Sequence, residues 1–142
     1  MNQEATLKIN GDRLWSSLMA MAEIGATEKG GSCRLALTDL DRQARDLFVQ
    51  WCREAGCTVT VDQMGNIFAR RGGSDPDLAP VVAGSHLDTQ PTGGRFDGVY
   101  GVLTGLEVIR ALNDHDICTR HPVEAVCWTN EEGSRFAPAM VA

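Results

Sequence analysis

Apolar residues at helical spacing predict two helices in the first 56 residues. In DRLWSSLMAMAEIG they recur on one face, and Gly25 follows as a stop signal. In LTDLDRQARDLFVQWCREAG, Thr38 is a suitable N-cap, acidic residues occupy the first turn and Gly56 is a suitable terminator. The expected buried face of this second helix consists of Leu40, Ala44, Leu47, Phe48 and Trp51.

Strand signals take over after the second helix. CTVTVDQMGNIFARRGG alternates as a β-hairpin does, with its turn at Met64-Gly65-Asn66. VVAGS and VEAVCW predict two short buried strands, and the helical spacing in DGVYGVLTGLEVIRALND predicts a helix between them. TNEEGSRFAPAMVA predicts a loop that leads into the start of a helix.

The order of these elements predicts an α/β domain with a mostly parallel sheet flanked by helices, plus a β-hairpin. A length of 142 residues fits one domain. The apolar end PAMVA has no closing strand or helix after it. We therefore expect residues 1–142 to be a truncated, partial domain.

Composition narrows the class of protein. Apolar residues make up 43% and charged residues 23%, as in soluble globular proteins, and the net charge is −6. Without a basic run, a nucleic-acid or membrane partner is not expected. No secretory signal core is present, and the five cysteines form no C-x-x-C pair. These features favour a cytoplasmic protein with reduced thiols.

Acidic side chains and one histidine follow the two predicted parallel strands. His86 and Asp88 come directly after VVAGS, Asp97 precedes the helix, and Glu131 and Glu132 come after VEAVCW. Because ligands gather at the carboxyl ends of parallel strands, we expect these five residues on one rim. Four carboxylates that close repel one another, and a divalent cation would relieve the repulsion.

Histidine and carboxylate donors suit zinc, manganese or cobalt. Two ions bridged by a carboxylate and a water would make a hydrolytic site, with a non-ligating glutamate as general base. His86, Asp97 and Glu132 cannot fill two coordination shells. His115 and His121 are predicted at the opposite edge of the sheet, so we expect the remaining ligands beyond Ala142.

Each candidate also has a plain structural alternative. Asp97 could cap the helix that follows it. Glu131 and Glu132 could be first-turn acids of a helix. His86 could be a core-edge histidine with satisfied hydrogen bonds. Their common placement on one predicted rim favours the metal site over these alternatives.

The longest motifs resemble a known family. GSHLDTQPTGGRFDGVYGVLTGLEV and HPVEAVCWTNEEGSRFAPAM are similar to the N-terminal catalytic portion of the amidase/hydantoinase/carbamoylase group in the M20-type zinc metallopeptidase superfamily. That group includes N-carbamoyl-L-amino acid hydrolases, β-ureidopropionases and allantoate amidohydrolases, and the resemblance extends from about Arg34 onward. It implies a phosphorylase/hydrolase-like fold, as in zinc exopeptidases. Residues 1–142 would then be the N-terminal part of the zinc-dependent catalytic domain, without the lid and dimerisation domain.

The resemblance also implies roles for the candidate residues. His86 matches a ligand of one zinc, Asp97 the bridging carboxylate and Glu132 a ligand of the other zinc. Glu131 matches the general base that activates water, and Asp88 matches the acid that supports His86. The implied cofactor is a pair of divalent ions, zinc in the first place and manganese or cobalt as options.

The implied reaction is hydrolysis of the carbamoyl C–N bond of an N-carbamoyl-L-amino acid or a related ureido compound. DTQPTGG is closer to the carbamoyl-amino acid hydrolases than to the allantoate enzymes. An allantoate amidohydrolase and an M20-type aminoacylase or peptidase stay open as alternatives. The parent protein is expected to be a homodimer and the 142-residue chain alone to be inactive. A hypothesis of another class is a non-catalytic truncated chain with an incomplete metal site.

Overall fold

Three helices and four strands make up the described part of the chain, residues 7–139 of a computed structural model. In chain order the elements are α1 (Gly11–Glu23), α2 (Asp39–Glu54), β1 (Thr58–Val61), β2 (Ile67–Arg71), β3 (Val81–His86), α3 (Val99–Asp114) and β4 (Val123–Trp128). The α/β class, with helices against one sheet, is as predicted. Among the described helices the longest have 16 residues, and none is long and apolar enough to cross a bilayer.

The strand order is β1-β2-β4-β3, and this order corrects the prediction of a mostly parallel sheet. The β3–β4 pair is parallel, as the strand–helix–strand pattern predicted. The β1–β2 and β2–β4 pairs are both antiparallel. The hairpin is therefore continuous with the sheet, because β2 pairs directly with β4. Alternation along a single strand reveals a buried face but not the neighbouring strand, so the sequence could not supply this pairing.

Strand β3 is the edge of the described sheet, and the prediction that it is buried is wrong for most of its length. Val81 is 60% exposed and Val82 49% exposed. Strand β3 pairs only with β4, so the opposite side of β3 has no strand beside it among residues 7–139. The last residue of β3, His86, is in contrast only 5% exposed.

Helix α2 begins at its predicted cap, Thr38, and α1 begins at a cap that was not predicted, Asn10. The Asn10 side chain accepts a hydrogen bond from the backbone N–H of Arg13, and the Thr38 side chain accepts one from Asp41. On α2, Ala44 and Phe48 are buried as expected. The expectation for Leu40 is wrong, since this side chain is 37% exposed.

Asp41 and Cys52 replace part of the expected apolar face of α2, and both are buried. The Asp41 carboxylate reaches inward because it accepts the backbone N–H of Leu37, which has a left-handed backbone. Burial raises the pKa of Cys52, and it raises that of Cys127 to about 12. These two free thiols are therefore part of the core and poor nucleophiles at neutral pH.

The loop after β4 contains no helix between residues 129 and 139. The expected helix start at PAMVA falls partly on residues 140–142, which lie outside the described residues. Helix α3 packs closely on β3. At Gly101 the two elements are so close that an added Cβ would lie 2.8 Å from the Cβ of Ser85. This close approach brings the N-terminal end of α3 against the end of β3 that carries His86.

Candidate metal centre

The two parallel strands end side by side. His86 at the end of β3 is in register with Trp128 at the end of β4. The segments that follow, 87–97 and 129–132, therefore leave the sheet at the same end, beyond the carboxyl ends of the two strands. This is the rim on which the sequence predicted the five candidate residues.

His86 is held in one orientation by a backbone contact. Its Nδ1 lies 2.8 Å from the carbonyl oxygen of Asp88. A carbonyl oxygen only accepts hydrogen bonds, so Nδ1 must be the donor. In the neutral imidazole this leaves the lone pair on Nε2, which is the form that binds a metal ion.

Asp88 joins the two segments that leave the sheet. Its side chain is 3% exposed, and its two carboxylate oxygens accept the backbone N–H groups of Glu131 and Glu132, each at 3.2 Å. Its carbonyl accepts from His86, as described above. One residue therefore fixes both the imidazole and the backbone of the two glutamates, so its contacts suit the supporting role that the resemblance implied.

Glu131 and Glu132 form a tight group with His86. One ligand atom from each of the three residues can be chosen so that all lie within 4.8 Å of one another. The closest pair is His86 Nε2 and Glu131 Oε2, at 3.3 Å. The Glu132 carboxylate accepts a hydrogen bond of 3.0 Å from the Gln90 amide. Gln90 was missed from the sequence, where a glutamine in a loop carries no signal of its own.

Asp97 lies at the border of this group. Its Oδ1 is 4.0 Å from His86 Nε2, and its side chain is 58% exposed. Gly98 is the N-cap of α3, which has no side-chain cap hydrogen bond. The alternative that the Asp97 side chain caps the helix is therefore excluded, and its carboxylate is not engaged in a cap hydrogen bond.

The charges at the rim call for a cation. Nε2 of a neutral His86 and the oxygens of Glu131 and Asp97 are all acceptors, so they repel unless a proton or a metal ion lies between them. Among residues 7–139, no lysine or arginine forms an ion pair with any of the rim carboxylates. One imidazole nitrogen with several carboxylate oxygens is a donor set that fits zinc, manganese or cobalt.

The start of the second segment has its own supports, which the sequence did not reveal. The Asn66 side chain accepts a 2.9 Å hydrogen bond from the backbone N–H of Thr129. Arg45 donates to the Thr129 hydroxyl at 3.2 Å and also to the carbonyl of Gly65. Helix α2 and the hairpin turn thus fix the chain two residues before Glu131.

The helix alternative for the two glutamates fails, because Glu131 and Glu132 are not in a helix and so are not first-turn acids. The alternative for His86 is compatible with the structure, since the residue is 5% exposed and its Nδ1 donates to the Asp88 carbonyl. His115 is the C-cap of α3. His121 lies just before β4, and its ring contacts the carbonyl of Ala79, just before β3. Both histidines lie at the opposite end of the sheet, as expected, and neither joins the rim.

Comparison with known proteins agrees with the motifs. Residues 82–142 match Peptidase family M20/M25/M40. The chain is 59% identical over 135 residues to an N-carbamoyl-L-amino-acid amidohydrolase of Rhizobium meliloti, covering 95% of this chain and 32% of that protein. It is 32% identical over 136 residues to a ureidoglycolate hydrolase of Arabidopsis thaliana, covering 96% of this chain and 29% of that protein.

A solved structure shows the same architecture. A putative amidohydrolase/peptidase from Burkholderia cenocepacia superposes with a TM-score of 0.93 at 72% identity, covering 94% of this chain and 33% of that one. This chain therefore spans about a third of the length of the relatives that it matches. The resemblance predicted from the motifs is confirmed: the chain is similar to amidases of the hydantoinase/carbamoylase family, and its residues 82–142 match Peptidase family M20/M25/M40.

Proposed function

We propose that the protein is a metal-dependent amidohydrolase that hydrolyses the carbamoyl C–N bond of N-carbamoyl-L-amino acids or a related ureido compound. One observation carries the proposal: Nε2 of a backbone-anchored histidine faces carboxylates at one rim. In this proposal residues 1–142 form the N-terminal part of the catalytic domain of a cytoplasmic homodimer. The lid and dimerisation domain would lie outside them.

His86, Asp97 and Glu132 would hold the metal ions, two in number by the family resemblance. Zinc fits this donor set, and manganese and cobalt fit it as well. When bound, such ions polarise a carbonyl oxygen and lower the pKa of a water molecule. His86 contributes a ligand whose Nδ1 hydrogen is already engaged by the Asp88 carbonyl, so its ring does not have to reorient.

Glu131 is the proposed general base. Its carboxylate is 44% exposed and lies 3.3 Å from His86 Nε2, so it is open to water and next to the proposed ligand. It would accept a proton from the attacking water and return it to the nitrogen that leaves. Breaking this C–N bond would leave a carbamic acid, whose loss of carbon dioxide breaks the second C–N bond, so that the final products would be the amino acid, ammonia and carbon dioxide.

Asp88 is a positioning residue in this proposal. Its carboxylate accepts the N–H groups of both glutamates, which keeps the base and the neighbouring ligand in a fixed relation to each other. The two accepted hydrogen bonds also disperse its negative charge, so that it adds less to the repulsion at the rim.

The carbamoyl substrate is favoured over the alternatives by degree of similarity. Identity to the Rhizobium meliloti N-carbamoyl-L-amino-acid amidohydrolase is 59%, against 32% to the Arabidopsis thaliana ureidoglycolate hydrolase. The same carboxylate and histidine chemistry would serve either substrate class.

A substrate panel tests the proposal. The protein expressed from its whole gene would be assayed with N-carbamoyl-L-amino acids, ureidopropionate, allantoate, ureidoglycolate and dipeptides, each with zinc, manganese or cobalt. We expect turnover of N-carbamoyl-L-amino acids that a chelator abolishes and added metal restores. Turnover of dipeptides alone, or activity indifferent to chelation, would contradict the proposal, and no turnover at all would favour a non-catalytic chain.

Glu131→Gln distinguishes a base from a ligand. As a general base, Glu131 contributes about 10²–10⁴-fold to the rate, and its removal should leave bound metal in place. Glu132→Gln is the matched variant, and it should instead lower metal content. If Glu131→Gln loses metal as readily as Glu132→Gln does, the assignment of Glu131 as the base is wrong.

A further inference from the structure

Arg34 lies beneath the rim and is completely buried. Its side chain has 0% exposure, although arginine is among the residues most rarely buried in full. Its Nε donates to the carbonyl of Leu87 at 2.7 Å, and its Nη1 donates to the carbonyl of Ile24 at 2.6 Å. The guanidinium therefore links the end of α1 to the segment between His86 and Asp88.

The backbone of Arg34 makes a second link to the same segment. Its N–H donates to the Thr89 hydroxyl at 2.7 Å, and its carbonyl accepts from the Thr89 N–H at 2.8 Å. Leu87 and Thr89 are the two neighbours of Asp88 in the chain. Arg34 thus holds Asp88 from both sides without touching its side chain.

This burial has a free-energy cost that no direct ion pair offsets. Among residues 7–139 no carboxylate lies within ion-pair distance of Arg34, and its Nη2 has no hydrogen-bond partner. Burial lowers the pKa of the guanidinium from its usual value, while Asp41 and Asp88 interact with it at longer range. The backbone carbonyls of Leu87, Ile24 and Met21 accept its hydrogen bonds and offset part of this cost. Two of these contacts tie α1 to the chain beneath the rim, so the cost is linked to the position of that segment.

We propose that Arg34 is a positioning residue that brackets Asp88, and so fixes the His86 imidazole and the two glutamates for metal binding. The inference rests on the proposed function, since it presumes a metal at the rim. The chain of contacts is short. Arg34 forms hydrogen bonds with Leu87 and Thr89, the two neighbours of Asp88. The Asp88 carbonyl accepts the hydrogen bond of His86. The Asp88 carboxylate accepts the backbone N–H groups of Glu131 and Glu132. The positive charge also lies beneath a rim that carries only acidic and imidazole side chains.

The test compares metal affinity with stability in variants of Arg34. Arg34→Met removes the charge and the side-chain hydrogen bonds to three backbone carbonyls, whereas Arg34→Lys keeps the charge and can reach one carbonyl. The control is Arg110 on α3, another desolvated arginine, which donates to Ser17 of α1, lies over the ring of Trp51 of α2 and is 3.9 Å from the Glu107 carboxylate. Arg110→Met and Arg110→Lys should lower stability without reaching the rim.

The readouts are the zinc dissociation constant, by competition with a chromogenic chelator, and the thermal midpoint of the metal-free protein. They are measured on the protein expressed from its whole gene. Groups that orient metal ligands typically contribute 10–100-fold to affinity, so we expect Arg34→Met to bind zinc about 10-fold more weakly or worse. Arg34→Lys should fall between Arg34→Met and the unaltered protein. Both Arg110 variants should stay within about 2-fold of the unaltered protein, well below that range.

Two results separate this inference from the proposed function. If the unaltered protein binds no zinc, manganese or cobalt, the proposed function fails and the inference fails with it. If the unaltered protein binds zinc and folded Arg34→Met binds it equally well, only the inference fails.

Thr89 provides a second route if the Arg34 variants do not fold. Thr89→Val removes the hydroxyl that accepts the Arg34 N–H at nearly constant volume, and Thr89→Ser keeps that hydroxyl. We expect zinc affinity to fall in Thr89→Val and to be retained in Thr89→Ser. Equal zinc affinity in these two variants would overturn the proposal that Arg34 positions Asp88.

Discussion

Gly98→Ala is expected to displace the His86 imidazole. Gly98 precedes α3 with φ +70°, a conformation that residues with a Cβ rarely adopt. A Cβ added there would overlap the ring of His86, with Cδ2 only 2.6 Å away. The ring cannot swing aside freely, because His86 is 5% exposed and its Nδ1 is bonded to the Asp88 carbonyl.

The free-energy change has two parts. At φ +70° and ψ −48° Gly98 forms a γ-turn in which the Val99 N–H donates to the Asp97 carbonyl, and an alanine there costs at least the roughly 1–2 kcal/mol of a left-handed conformation. Moving the imidazole breaks a buried hydrogen bond and leaves the Asp88 carbonyl without its partner, which costs about 1–3 kcal/mol more. The free energy of unfolding of the metal-free protein should therefore fall by about 2–5 kcal/mol in Gly98→Ala.

Gly56→Ala is the matched control. Gly56 has φ +81°, but no atom lies within 4 Å of its added Cβ. This variant therefore incurs only the backbone cost, roughly 1–2 kcal/mol. The difference in zinc affinity between the two variants therefore reports the displacement of His86.

Urea denaturation of both variants, together with zinc competition titrations, provides the assay. Gly98→Ala should lose more stability than Gly56→Ala, and it alone should lose zinc affinity. Equal stability loss and equal zinc affinity in the two variants would refute the reasoning, because they would mean that His86 is not fixed against the start of α3.

Two further predictions concern the contact between α1 and α3. Arg13 forms an ion pair of 2.7 Å with the buried Glu107, so Arg13→Met should lower the free energy of unfolding by about 3 kcal/mol. A second change, Glu107→Leu, should recover only part of this loss, because Glu107 also accepts the Asn10 backbone N–H and lies 3.9 Å from Arg110. Urea denaturation of the single and double variants checks this, and a double variant no more stable than Arg13→Met would contradict it. Arg13 also lowers the pKa of Asp114 by hydrogen bonding, so Asp114 stabilises the fold above its usual pKa of 3.8, and this contribution is lost as the pH falls through the lowered value. The free energy of unfolding should therefore fall less on acidification in Asp114→Asn than in the unaltered protein, and identical pH profiles would argue against the contribution.

The sequence by itself determined the local elements and the chemistry of the rim. The capping side chain of Thr38 and the helical spacing of apolar residues predicted the start of α2 and the buried faces of α1 and α2, because these signals act within a few residues. The strand–helix–strand order likewise predicted the parallel β3–β4 pair. With that pair in place, His86 and the acids after each strand had to leave the sheet at one edge.

Only the tertiary structure decided what lies beside and beneath these elements. The pairing of β2 with β4, the exposed edge at Val81 and the buried Arg34 all depend on contacts between residues far apart in the chain. A polar residue in a loop gives no local sign of whether it is solvated or holds a distant carbonyl. The burial of a side chain and the direction in which it points depend on the packing of the whole chain. The contacts of Arg34 and Gln90 could therefore be recognised only from the tertiary structure.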